Sequence, residues 1–307
     1  SGRRPQGPHL SPLTPFLALA AAASWGVGDF AGGIATRLSN NFVAVFVAQV
    51  VGLALASLLL LLSAESRPSA EALAWGAAAG VSGTFGLGAF YLALSRGTMG
   101  LVAPAAALLS AAWPAAFALL TGDSVGTVAL AGMAVALVSI VLISAPDKRL
   151  GTPVMPTYHG SRRSEWLLIL GAALGFGGFF LLIDASHEAG GAVWWPLLMV
   201  KVAGVSAVIV AALVLAPMGR FPGITLGAAA LLVGAVAGIG DLGGNLFFVL
   251  ASSGGELAVV IVLTSLYPVV TAILARIILH ERLSPLRLLG VALAITGVVL
   301  ILSLIHI

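Results

Sequence analysis

From Thr14 onward the chain alternates long apolar runs with short breaks of polar, glycine or proline residues. The runs fall at 14–35, 41–62, 71–94, 100–121, 124–145, 164–184, 192–215, 224–250, 256–278 and 284–304. Each has roughly the ~20 residues that a helix needs to cross the hydrocarbon core of a bilayer. Backbone groups in lipid must pair within their own segment or within a closed barrel, so unbroken apolar runs of this length predict helices. The expected fold is all-α, a polytopic membrane protein with ten transmembrane helices. Breaks as short as Ser39-Asn40-Asn41, Arg96-Gly97-Thr98 and Ser252-Ser253-Gly254-Gly255 make successive helices antiparallel neighbours.

One break is longer. Residues 146–163 hold Pro146, Pro153 and Pro156 together with Asp147, Lys148, Arg149, Arg162 and Arg163, which reads as a linker between two five-span halves, 14–145 and 164–304. The halves echo each other in order. Gln49 and Gly52 correspond to Lys201 and Gly204, Gly97 to Gly254, Trp113-Pro114 to Tyr267-Pro268, Gly122-Asp123 to His280-Glu281, and Gly132 to Gly290. An odd number of spans per half sends the second copy into the membrane upside down. The expected architecture is therefore an inverted repeat about an axis in the membrane plane, the arrangement that supports alternating access.

Composition sharpens this picture. Hydrophobic residues make up 60% of the chain and charged residues 8%, with a mean hydropathy of +1.13, against about 45–50% and ~25% in soluble domains. Soluble, disordered and collagen-like classes are excluded. The absence of cysteine removes disulfides, thiolate metal sites and cysteine nucleophiles. A net charge of +3 without basic clusters leaves no nucleic-acid footprint. Neither cofactor nor metal is expected. The chain opens on Ser1-Gly2-Arg3-Arg4 with no evident cleavable signal peptide, so the natural N-terminus is expected to lie further upstream or to be processed.

Charged groups within spans are costly, which makes each a candidate for function. Asp29 in the first span, Lys201 in the seventh and Asp241 in the eighth stand out, with Gln49 and Asn245 as uncharged companions; the other charges are expected at helix ends. Trp25 and Asp29 share one helical face, as do Asp241, Asn245 and Phe248, so polar and aromatic groups come together as a metabolite cavity requires. Lys201 is notable because twelve of the fourteen basic residues are arginine. A flexible ammonium there suits a pair with a nearby aspartate at rest and an acidic substrate group during transport. Asp29 and Asp241 are also candidates for proton coupling. Glycines 26, 28, 32, 33, 238, 240, 243 and 244 flank the two acids and allow close helix approach, while Pro104, Pro114, Pro196 and Pro268 are expected kinks. Trp75, Trp166, Trp194 and Trp195 read as interfacial aromatics.

Trp25-Gly26, Tyr91-x-Ala93-Leu94, Leu263-x-x-Leu266-Tyr267-Pro268, and His280-Glu281-Arg282-Leu283 followed by Gly290 and Gly297 resemble the drug/metabolite transporter superfamily, in particular proteins with two tandem EamA domains. The second half matches better, since the first keeps only Asp123-Ser124 where the pattern has an acid–arginine pair. The resemblance implies an exporter or exchanger of small metabolites, amino acids or related zwitterions among them, in the inner (plasma) membrane. Its central cavity would be lined by both repeats, adding Tyr91, Trp113 and Tyr267 to the candidate substrate-binding residues. The resemblance also implies cytoplasmic termini, whereas the distribution of lysine and arginine favours the reverse. No enzymatic activity is expected. Two other readings remain. Gly26-Val27-Gly28-Asp29 and Gly238-Ile239-Gly240-Asp241 both spell Gly-x-Gly-Asp, which an intramembrane aspartyl protease would use as a carboxyl dyad. A membrane scaffold without transport is the second. Gly80-Val81-Ser82-Gly83 matches a serine-protease motif, but the histidines lie in loops or at span ends, away from Ser82.

Overall fold

A computed structural model describes residues 12–96, 127–143, 162–219 and 226–278, together with Gly223, Ile224 and scattered positions between 106 and 120 and between 285 and 297. The helices are α1 (Thr14–Leu38), α2 (Asn41–Ser63), α3 (Ala70–Arg96), α4 (Thr127–Ile143), α5 (Arg162–Glu188), α6 (Trp194–Leu215), α7 (Ala228–Ser252), α8 (Leu257–Thr264) and α9 (Tyr267–Ile278). No strand occurs among the described residues. Six of these helices, α1, α2, α3, α5, α6 and α7, are long and apolar enough to span a bilayer, and α4 and α8 to α9 are shorter apolar segments. The chain is a multi-pass helical membrane protein. Much of the expected fourth and tenth spans and most of the linker lie outside the described residues, as do Gly97, Gly122-Asp123 and His280-Glu281.

Two expectations need correction. The run 256–278 is not one helix but breaks at Ser265-Leu266. Pro268 supplies no N–H and disfavours helical backbone at Tyr267, so the chain tightens there into shorter-range bonds, Leu266 N to Leu263 O and Val269 N to Leu266 O. Pro196, expected as a kink, sits in the first turn of α6, where a missing N–H costs nothing.

Many of the buried positions are alanine, and many large apolar side chains lie outside. Ala18, Ala21, Ala56, Ala79 and Ala237 are buried, whereas Leu61, Leu62, Phe85, Leu174, Leu213 and Leu232 are exposed to the surroundings. Lipid tails are as apolar as leucine, so helices in a membrane associate through close packing of small residues instead of burial of large ones. The most extensive contacts are α1 on α7 and α3 on α5, followed by α3 on α6, α2 on α7 and α2 on α6. Under the correspondence expected from the sequence, α1 with α5, α2 with α6 and α3 with α7, the first two packings exchange with each other, and likewise the next two.

The same weld recurs in both main pairs. Ser24 on α1 donates to the carbonyl of Gly240 on α7 at 2.9 Å, and Ser82 on α3 donates to that of Gly175 on α5 at 2.9 Å. Each serine is followed four residues later by a glycine, Gly28 or Gly86, that lies against the partner's backbone. Ser82 therefore serves as a helix joint. Between α2 and α6 the contact is reciprocal: Lys201 lays its stem over Gly52 while Gln49 lies against Gly204. Residue numbers rise on one helix as they fall on the other, so α2 and α6 run antiparallel.

At one end of this pair, Glu65 ties the two halves together. Its carboxylate accepts from the backbone N–H groups of Val193, Trp194 and Trp195 at 3.1, 2.9 and 3.2 Å, and the Trp195 ring N–H donates to the Glu65 carbonyl at 3.1 Å. The free amides at the start of α6 and its dipole both favour a negative charge there. Trp195 is thus a cap contact as well as an interfacial ring. Glu65→Ala is expected to destabilise the protein by about 0.5–2 kcal/mol, read as a lower thermal midpoint in detergent, with Glu65→Gln closer to wild type. An unchanged midpoint for Glu65→Ala would contradict the cap's contribution.

Candidate functional site

The crossing of α1 and α7 depends on bare backbone. A methyl group built on Gly28 would stand 3.1 Å from the Asp241 nitrogen and 3.2 Å from the Ala237 carbonyl oxygen. One built on Gly240 would meet the Gly28 Cα and the Ser24 carbonyl oxygen, both at 2.7 Å. Only glycine allows this approach, and it brings the two Gly-x-Gly-Asp segments face to face. Asp29 and Asp241 consequently line one cavity of about 80 Å³, enough for a few waters or the polar end of a solute.

Of the nine residues expected from the sequence, Trp25, Asp29, Gln49, Lys201, Asp241, Asn245 and Tyr267 line this cavity. They come from α1, α2, α6, α7 and α9, hence from both halves of the chain. Trp113 stands apart: it is 36% exposed, and its ring N–H donates to the Ala173 carbonyl at 3.2 Å. Tyr91 belongs to α3, and its side chain lies outside the described residues.

Lys201 is 1% exposed and pairs with the Asp241 carboxylate, which keeps 30% of its side chain accessible. The pair combines a buried cation with a carboxylate that still faces the cavity. The neighbouring groups fix one another. Trp25 donates its ring N–H to Asn245 Oδ1 at 3.1 Å, and Gln49 Nε2 donates to Thr84 Oγ1 at 3.1 Å. Thr271 donates to the Gly26 carbonyl at 3.1 Å, which docks α9 on α1 and places Tyr267 at the cavity wall. The Tyr267 hydroxyl is buried with no hydrogen-bond partner among the described residues.

An aromatic cluster closes one side. The Trp25 ring lies 5.8 Å from Phe180, 5.9 Å from Phe248 and 6.3 Å from Phe179, and Phe180 lies 4.9 Å from Phe248. These separations are those of favourable tilted and edge-on ring contacts.

Sequence reading missed several lining residues: Thr84 and Ser110, and Phe176, Phe179 and Phe180 on α5. A signal existed, because Gly175 and Gly178 repeat the spacing of Gly240 and Gly243 and mark another close crossing. The phenylalanines themselves are indistinguishable in an apolar run. Asp184, not singled out from the sequence, ends the run 164–184 and is buried on α5 at 6% exposure. The carboxyl dyad of a protease would share a proton between Asp29 and Asp241, whereas Asp241 is here engaged by Lys201.

Known proteins offer a fold and a family. The model of the EamA-like transporter family matches residues 163–303. A solved structure, described as "Crystal structure of protein", is similar with a TM-score of 0.70 at 17% identity, covering 95% of this chain and 97% of that one. No curated protein matches.

Proposed function

We propose, from the premise that residues 163–303 are an EamA-like transporter family domain, that the whole chain is a transporter of the drug/metabolite transporter superfamily. It moves small metabolites across the inner (plasma) membrane by alternating access, as an exporter or exchanger. One observation carries this reading: a cavity enclosed by helices of both halves holds Asp29, Lys201 and Asp241 in the middle of membrane-spanning segments. Charges in such positions mark solute or ion pathways.

Residues 14–145 and 164–304 are read as two inverted five-helix units. The reciprocal contacts of Gln49 with Gly204 and of Lys201 with Gly52 support this, since a two-fold axis between α2 and α6 requires equivalent residues to meet each other's partners. Trp25, Asp29, Gln49, Lys201, Asp241, Asn245 and Tyr267 form the substrate site. Asp29, facing the cavity beside Asp241, is the group placed to exchange a proton against substrate. The glycine crossings let one half rock against the other while the backbone stays hydrogen-bonded.

The test is a resistance screen. Overexpression is expected to protect a bacterial host against at least one toxic metabolite or analogue, and Asp241→Asn at equal membrane abundance is expected to remove that protection. Protection unchanged by Asp241→Asn would take the cavity out of the transport path.

A further inference from the structure

Charge in the cavity is unevenly committed. Lys201 is the cation among the described lining residues, yet it is buried and its ammonium is engaged by Asp241. Asp29 faces the same space and makes no hydrogen bond with another described residue. Among the described lining residues, two carboxyl groups stand against one ammonium. An acidic substrate would have to displace Asp241 from Lys201 and then sit beside Asp29, so it is opposed twice.

Two further features favour a cation. Trp25, Phe179 and Phe180 line the cavity, and aromatic rings attract ammonium groups, more strongly where water is excluded. Tyr267, 8% exposed, also lines the cavity, and its hydroxyl lacks a partner among the described residues. An ammonium N–H can donate to that oxygen. Leu87, Phe176 and Val200 add apolar wall for a hydrocarbon or aromatic body to contact.

We infer that the cavity selects organic ammonium ions, small amines with an apolar or aromatic body, with Asp29 holding the charged head against the Trp25 and Tyr267 side of the pocket. This deepens the proposed transport function and rests on the same cavity. Asp29 is the selectivity determinant, while Asp241 in the same cavity stays engaged by Lys201.

The experiment uses the purified full-length protein and four probes that share one ring and differ in charge: phenethylamine, phenylalanine, 2-phenylethanol and phenylacetate. Thermal stabilisation in detergent reads binding, and uptake into proteoliposomes reads flux. Phenethylamine is expected to bind tightest. Asp29→Asn is expected to weaken it by about tenfold or more, since one partner of a desolvated charge pair is lost. Asp29→Glu, which keeps the charge, is expected to restore part of the affinity, and this excludes simple misfolding as the cause. The inference is overturned if phenylacetate or 2-phenylethanol binds as tightly as phenethylamine, if phenethylamine does not bind, or if Asp29→Asn leaves its affinity unchanged. Asp29-dependent binding of phenethylamine without flux of any probe would support the ammonium site and sink the transport reading. Lys201-dependent flux of phenylacetate alone would do the opposite.

Discussion

Lys201→Met is expected to abolish substrate flux and to destabilise the fold by about 1.5–3 kcal/mol, because the partly enclosed Asp241 carboxylate loses its charged hydrogen-bond partner. Lys201 is almost fully enclosed, and its ammonium partner is Asp241. Removing both charges together relieves the stranded carboxylate. The double variant Lys201→Met, Asp241→Asn is therefore expected to regain much of the stability while remaining inactive. Thermal unfolding in detergent and flux into proteoliposomes separate the two effects. A double variant that regains both would reduce the pair to a structural joint, and a fully active Lys201→Met would remove it from the site altogether.

Gly240→Val is expected to damage both stability and transport. Its Cβ would lie 2.7 Å from the Gly28 Cα and 2.7 Å from the Ser24 carbonyl oxygen, both backbone atoms that no rotamer change can move. Overpacking of a tight contact costs about 1–3 kcal/mol, and here it also pries apart the crossing that holds Asp29 beside Asp241. Flux should fall even in molecules that remain folded. Gly33, on the same helix as Gly28, has open space around it. Gly33→Ala is expected to be neutral or to stabilise by about 0.5–1 kcal/mol, the helix-propensity difference between the two residues. Equal midpoints and equal flux for the two variants would mean that the glycine crossing does not position the site.

Much of the site was legible because charge in a hydrophobic run is conspicuous. Asp29, Lys201 and Asp241 stand out against apolar neighbours, and helical spacing attaches Trp25 to the first and Asn245 to the third. Phe179 and Phe180 carry no such mark. A phenylalanine facing a cavity and one facing lipid look the same in sequence, and Phe85, which is 60% exposed, shows the other outcome. Trp113 is singled out by its expected correspondence to Tyr267, and its ring N–H donates to the Ala173 carbonyl, apart from the residues that line the cavity. Asp184 ends its apolar run and so does not stand out, and only packing shows it as buried.

Sequence alone determined the helical membrane class, since lipid leaves the backbone few ways to satisfy its hydrogen bonds and the lengths of the apolar runs follow from bilayer thickness. It also determined which groups are too polar to be there by chance. Which helices touch was decided only in three dimensions. Residues some 200 positions apart, such as Ser24 and Gly240, meet because glycine removes the side chain that would separate two backbones. That contact depends on shape on both partners at once, which no local pattern encodes. The same holds for the choice of Asp241 over Asp29 as the partner of Lys201, which leaves Asp29 facing the cavity.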